Sequence, residues 1–151
     1  MSAGTPLPEK LGIRAGCRLI VSGAPIGWVG SVLVLPAGVR VGDLRARIAD
    51  VIVVFCRSGG ELERTVSAAV RRLPADGALW VAWPKRASGV ATDLTEDVVR
   101  DAALPRGLVD VKVAALDDVW SGLKLVVRSH LRGEWAPDRE NGTSTRGRIR
   151  R

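Results

Sequence analysis

The sequence predicts an α/β protein built on an open, mostly parallel sheet that ends in an antiparallel hairpin. Two continuously apolar runs, residues 51–56 and 78–83, are typical of strands buried on both faces. A helical pattern follows each run, and Val109, Val111 and Val113 alternate with polar residues further along the chain. Such alternation indicates an edge hairpin with one side toward water.

The first half of the chain is compressed. A short apolar strand is predicted at residues 18–22, and it ends at the glycine turn 23–28. The apolar stretch that continues to Leu35 is long enough only for a short helix or an irregular crossover. A second, brief strand is expected at residues 39–41, before the first buried central strand at 49–56.

Two helix starts stand out in the second half. Ser58 precedes Glu61 by three residues, which is the spacing of a capping box. Thr95 precedes an acidic first turn and can cap a second helix. After these helices, strands at 109–113 and 123–127 complete the hairpin. Strands that alternate with helices favour right-handed crossovers, so we predict a compact, Rossmann-like, three-layer sheet.

Length and composition indicate one folded domain. The chain has 151 residues, 46% of them apolar, with a mean hydropathy of +0.12, which excludes disorder throughout. We assign residues 10–128 to the domain, 1–9 to an N-terminal extension and 129–151 to a flexible basic tail. No apolar run approaches the roughly 20 residues of a membrane span, and the first residues do not resemble a secretory signal. We therefore expect a cytoplasmic protein that does not enter the membrane.

The net charge of +7 is concentrated at the end of the chain. Residues 128–151 contain seven cationic against three acidic side chains, which accounts for +4 of the total. Such a tail is either a solvated, solubilising extension or a salt-sensitive contact to nucleic acid. The sequence contains no aromatic residue among the terminal arginines to stack on bases.

Complete catalytic machinery is not recognisable. Cys17 and Cys56 lie in apolar, strand-like sequence and are expected to be reduced, buried thiols. The one histidine, His130, lies far along the chain, so neither a nucleophile triad nor a zinc-ligand spacing can be assembled. These observations favour a noncatalytic protein without a metal.

The order of elements resembles class I S-adenosylmethionine-dependent methyltransferases. The first strand enters a glycine turn, and residues 73–79, LPADGAL, resemble the L-P-x-G-G-x-L segment of those enzymes. The resemblance implies the sheet order 2-1-3-4-6-5 with strand 6 antiparallel, and S-adenosylmethionine over the carboxyl end of the first strand. The glycine pattern is degraded, because Pro25 stands between Gly23 and Gly27. Asp43 is either the ribose-binding carboxylate or an exposed turn residue.

A second resemblance covers roughly residues 10–128. The segments GALWVAWPKRASGVATDLTEDVVRDAAL and GLVDVKVAALDDVWSGLKLVVR are similar to an uncharacterised bacterial family known as domain of unknown function 3052. This resemblance implies no established activity.

The predicted functional edge lies at the carboxyl ends of the parallel strands, where ligands of open sheets bind. Segments 23–28, 57–60 and 84–89 should converge there beside the start of a helix, a setting that favours an anionic metabolite, a nucleotide or an acidic protein partner. Simple solvation of these loop cations is the alternative. The candidate ligand-binding residues are Gly23, Gly27, Trp28, Asp43, Arg57, Ser58, Lys85, Arg86 and Ser88.

The five tryptophans separate into packing and contact candidates. Trp28 either lies over a planar ligand ring or closes the core, and Ser88 is expected to donate a hydrogen bond to the ligand. Trp80 and Trp83 are an odd number of residues apart, so they should pack on opposite faces of the sheet. An exposed Trp120 would indicate a homodimer through the hairpin edge.

Overall fold

A computed structural model describes residues 5–137 and contains one six-stranded sheet. The strands are β1 (Arg18–Ser22), β2 (Arg40–Gly42), β3 (Val51–Phe55), β4 (Ala78–Pro84), β5 (Leu108–Ala115) and β6 (Trp120–Val127). The α-helices are α1 (Leu7–Leu11), α2 (Trp28–Ser31), α3 (Gly59–Val70) and α4 (Glu96–Ala103). Short 3₁₀ turns occupy Arg86–Ser88, Leu104–Arg106 and Ser129–Glu134.

The sheet has the predicted order. Its strands lie as β2-β1-β3-β4-β6-β5. The first four strands are parallel, and β6 is antiparallel to both β4 and β5. The predicted α/β class, with a mostly parallel sheet and an antiparallel hairpin, is therefore confirmed.

The core lies on both faces of β3 and β4, whose residues are all buried. Helices α3 and α4 cover one face, with Leu62, Val66 and Val99 in that cluster. The other face is covered by the five-residue helix α1 and by the crossover that contains Leu33. Trp83 belongs to the first cluster and Trp80 to the second. The prediction that they pack on opposite faces is confirmed.

Both predicted helix caps form. The Glu61 amide donates to Ser58 Oγ over 3.2 Å, and the Val98 amide donates to Thr95 Oγ1 over 3.2 Å. The reciprocal bond differs from a standard capping box, because the Glu61 carboxylate accepts from the Arg57 amide over 2.8 Å instead of from Ser58. Each helix start thus satisfies backbone donors that would otherwise lack partners.

Several element boundaries move from their predicted positions. Strand β2 lies one residue later than 39–41, and β6 begins at Trp120 because its first residues pair with the end of β4. Packing also continues past residue 128: Leu131 and Trp135 contact the α3–α4 cluster, and Trp135 Nε1 donates to the Leu73 carbonyl over 2.8 Å. The predicted nucleic-acid contact of the tail falls mostly on residues 138–151, outside the described residues. No helix within residues 5–137 is long and apolar enough to cross a bilayer.

Candidate functional site

The predicted segments meet at the carboxyl edge of the sheet. Arg57 follows β3 and approaches the glycine turn after β1, with Nη2 3.5 Å from the Gly23 carbonyl oxygen. Lys85 follows the neighbouring strand β4, and its amide donates to the Val119 carbonyl over 2.7 Å. The two cations therefore follow adjacent parallel strands at one edge.

Three aromatic rings pack together at this edge on the α1 side. The centroid of the Phe55 ring lies 4.8 Å from that of Trp28 and 5.0 Å from that of Trp120. Both contacts are edge-to-face, which is a favourable geometry for aromatic pairs. All three are buried, and the Arg57 guanidinium covers the Trp120 ring at 4.8 Å. Trp28 therefore closes the core, and Trp120, whose exposure the sequence leaves open, is buried as well. The Trp28 indole N–H is buried without a hydrogen-bond partner.

The glycine turn packs directly on the end of β3. Gly23 has φ +75°, and a Cβ there would lie 2.7 Å from the Phe55 carbonyl oxygen, so only glycine fits. The turn is closed by the Trp28 amide, which donates to the Pro25 carbonyl over 3.0 Å. Gly27 has a left-handed conformation at the start of α2. These contacts explain both glycines by local geometry.

The chain's own carboxylates occupy the start of α3. Asp93 accepts a hydrogen bond from the Gly59 amide over 3.0 Å, and Glu61 accepts from Arg57. Thr92 donates from Oγ1 to the Arg57 carbonyl over 2.7 Å, which ties the same loop to this helix. The expectation that this helix start is open to an external anion is therefore not met, because Ser58, Glu61 and Asp93 already bond its backbone.

Two further candidates bond within their own loops. Asp43 directly follows β2 and forms an ion pair with Arg45 at 3.0 Å. The hydrogen bond from Arg45 lowers the pKa of Asp43. Ser88 Oγ donates to the Lys85 carbonyl over 2.7 Å and accepts from the Val90 amide over 3.1 Å. Ser88 thus stabilises the turn after β4, and the expected donation to a ligand is replaced by this bond.

A cavity of about 640 Å³ lies beyond the end of β4 on the α3–α4 side. Trp83 and Leu94, both members of the α3–α4 cluster, form part of its wall, and Arg86 is the cation that lines it. The Asp93 and Glu96 carboxylates also line it, but Asp93 bonds Gly59 and Glu96 pairs with Arg100. Arg86 has no ion-pair partner among residues 5–137.

Sequence reasoning found Arg86 but missed the loop that builds the rest of this cavity. Residues 90–96 form most of the wall, and the sequence indicates no role for them beyond the Thr95 cap and the helix that it starts. The clustering of Thr92, Asp93 and Thr95 before a helix is the sequence signal that indicates a structured loop, since these side chains bond neighbouring backbone.

The buried thiol at this edge is chemically quiet. Burial raises the pKa of Cys56 to about 12, so at neutral pH it is almost wholly protonated. Because the thiolate is the reactive form of cysteine, a nucleophilic role for Cys56 is unsupported. Within residues 5–137 no cluster of three metal-binding side chains is present.

Several solved structures with a similar fold are described as methyltransferases. The precorrin-6y C5,15-methyltransferase of Geobacter metallireducens is 13% identical, with a TM-score of 0.59 over 81% of this chain and 86% of that one. The B. subtilis tRNA methyltransferase TrmK is 13% identical, with a TM-score of 0.55 over 86% and 68%. A TehB-like S-adenosylmethionine-dependent methyltransferase of Corynebacterium glutamicum is 16% identical, with a TM-score of 0.53 over 81% and 85%. At these identities the likeness shows the fold alone.

Comparison of sequences leads to one family. No curated protein sequence matches the chain. A family model described as "Protein of unknown function (DUF3052)" matches residues 41–129, which include β3 to β6 and the whole wall of the β4 cavity. The chain therefore belongs to the DUF3052 family and has the fold of class I methyltransferases.

Proposed function

We propose that this protein is a noncatalytic or regulatory module that binds a small ligand with an anionic group in the cavity at the end of β4. The observation that carries the proposal is the pairing of charges there. Glu96 forms an ion pair with Arg100 and Asp93 accepts a hydrogen bond from the Gly59 amide, whereas Arg86 has no ion-pair partner among residues 5–137. An anionic group beside Arg86 would therefore meet a cation that no carboxylate of the described residues neutralises.

The size and place of the cavity support this proposal. Its volume of about 640 Å³ is in the range of small-molecule sites, roughly 300–1,000 Å³. It lies at the carboxyl end of a parallel strand, where open α/β sheets bind ligands. The start of α4 is also part of the wall through Thr95 and Glu96, and the first amides of a helix favour negative charge. A metabolite or nucleotide fits an open cavity of this size.

A binding experiment with a matched control tests the proposal. Wild-type protein is screened by thermal shift against nucleotides, phosphorylated metabolites and coenzymes, and each ligand found is titrated by calorimetry. We expect Arg86→Gln to bind at least about tenfold more weakly, a loss of about 1.4 kcal/mol. Arg47→Gln, which removes an exposed arginine far from the cavity, should bind as wild type. Equal affinity of Arg86→Gln and wild type would refute the proposal.

The second candidate is S-adenosylmethionine binding, which the sheet order and the place of Asp43 after β2 favour. The residues at the end of β1 do not fit this cofactor. Trp28, Phe55 and the Gly23 turn pack on one another over the carboxyl end of β1, the place that the resemblance assigns to the cofactor. Calorimetric titration with S-adenosylmethionine tests this candidate. Saturable binding that Asp43→Asn abolishes would favour a methyltransferase-like enzyme. The absence of binding at millimolar S-adenosylmethionine would exclude this candidate.

A further inference from the structure

Two lysines lie directly opposite each other on the hairpin. Lys112 of β5 pairs in register with Lys124 of β6, and Lys124 is in turn opposite Trp80 of β4. Opposite residues of antiparallel strands point to the same face, so both lysines lie on the Trp80 face, the one that α1 covers in part. Neither lysine has an ion-pair partner among residues 5–137.

A β-bulge brings this lysine pair together. The register shifts between Asp110, which is opposite Leu125, and Lys112, which is opposite Lys124. In a regular ladder Val111 would be opposite Lys124, and Lys112 would point to the α3–α4 face. The extra residue in the bulge therefore turns Lys112 to the face of Lys124, as bulges do when they redirect a side chain.

The arrangement is unfavourable without a counter-anion. Opposite residues have Cβ atoms about 4.5–5.5 Å apart, and like charges there repel. The indole of Trp80 nevertheless attracts the Lys112 ammonium, which lies 5.9 Å from the ring centroid. This contact keeps Lys112 close to the sheet, beside Lys124. A dianion between the two ammonium groups would attract both of them, and this attraction would outweigh their mutual repulsion.

Lys124, one member of the lysine pair, also lines a second cavity. Lys124 and Arg14 line a depression of about 480 Å³ beside the end of α1, together with Asp50 and Asp76. Asp50 forms an ion pair with Arg18 at 3.1 Å, whereas Asp76 has no ion-pair partner among the described residues. Two cations, Arg14 and Lys124, therefore line this depression with one carboxylate that lacks an ion-pair partner.

We infer that this face holds a second anion site, which takes a phosphate-bearing small molecule. The phosphate lies between Lys112 and Lys124, and the remainder of the molecule occupies the depression lined by Arg14. Lysine ammonium groups are common phosphate ligands in proteins. The site lies on the opposite face of the sheet from the Arg86 cavity, whose wall includes Trp83 and Leu94 of the α3–α4 cluster. It is independent of the proposed function.

Titration with pyrophosphate tests the inference. We expect saturable calorimetric binding to wild-type protein, with affinity reduced at least tenfold in Lys112→Gln and in Lys124→Gln. In phosphate-free chloride buffer, both variants should have a Tm equal to or above that of wild type, because each removes the repulsion. Lys112→Glu, which places a carboxylate opposite Lys124, should raise Tm further and abolish binding.

Three outcomes would overturn the inference. One is the absence of saturable binding of pyrophosphate to wild-type protein. Another is an affinity for pyrophosphate that is unchanged in both glutamine variants. The third is a rise in the Tm of the wild-type protein that chloride produces to the same extent as pyrophosphate at the same ionic strength. Arg86→Gln serves as the control for the other site: pyrophosphate binding that Arg86→Gln removes and Lys124→Gln keeps would refute this inference and support the proposed function instead.

Discussion

Asp93→Ala provides a direct test of how the start of α3 is satisfied. The Asp93 carboxylate accepts from the Gly59 amide over 3.0 Å, although the two residues are 34 positions apart. Loss of a capping side chain costs about 1 kcal/mol, and loss of a negative charge at a helix start costs about 0.3–1 kcal/mol. We therefore expect a destabilisation of about 1.5 kcal/mol, which lowers the Tm of a protein of this size by about 3–6 °C.

The same variant should create an anion site that wild type lacks. With Asp93 removed, the Gly59 amide is free, and sulfate should bind the helix start and restore part of the lost Tm. Thermal unfolding followed by circular dichroism, in sulfate and in chloride at matched ionic strength, measures both effects. Asp101→Ala is the control, since Asp101 is exposed on α4 and has no hydrogen-bond or ion-pair partner among the described residues.

The reasoning would be refuted by an Asp93→Ala variant with the Tm of the Asp101→Ala control. It would also be refuted if sulfate stabilised wild type and Asp93→Ala to the same extent, because the helix start would then be open to anions in both proteins.

Three further predictions concern stability and reactivity. Trp28→Phe removes a buried N–H that has no partner and whose desolvation costs about 1–3 kcal/mol, so the urea midpoint of this variant should stay near that of wild type. Trp28→Ala should lower the free energy of unfolding by about 3–5 kcal/mol. Equal losses of stability in the two variants would contradict this account. Ellman's reagent at pH 8 should label the half-buried Cys17 in the native protein. It should label Cys56 only after unfolding, because burial raises the pKa of that thiol to about 12. Equal labelling rates for the two thiols in the native protein would show that Cys56 is accessible. The hydrogen bond from Arg100 lowers the pKa of Asp110. The Asp110 carboxylate therefore stabilises the folded protein above its unfolded pKa of about 3.9, and this stabilisation is lost as the pH falls through the folded pKa. Asp110→Asn should therefore be less stable than wild type at pH 7, with a difference that shrinks in acid; urea unfolding at several pH values measures it, and a constant difference would refute it.

The meeting of Arg57 and Lys85 at one edge of the sheet was predictable because it follows from topology. Once residues 51–56 and 78–83 are recognised as neighbouring parallel strands, Arg57 and Lys85 must lie at the same edge of the sheet. Which side chains remain available there was not predictable. Asp93 is 34 residues from Gly59, and only the folded chain brings its carboxylate to that amide and so closes the start of α3.

The tryptophans show the same division. Trp80 and Trp83 are an odd number of residues apart, so the period of a strand predicts that they lie on opposite faces of the sheet. The structure places them on opposite faces. Trp28 and Trp120 have no such local rule. Their burial depends on Phe55, which lies between them in space and belongs to β3, so the sequence left both undecided.

By itself the sequence determined the central buried strands and the two helix caps, because each depends on residues close together in the chain. The strand order came from the resemblance to class I methyltransferases, and the structure has that order. Tertiary structure alone decided which charges have partners. Arg86 is left uncommitted beside a cavity, and a single extra residue before Lys112 turns that lysine toward Lys124. Electrostatic pairing depends on distances across the fold, and local sequence patterns do not encode them.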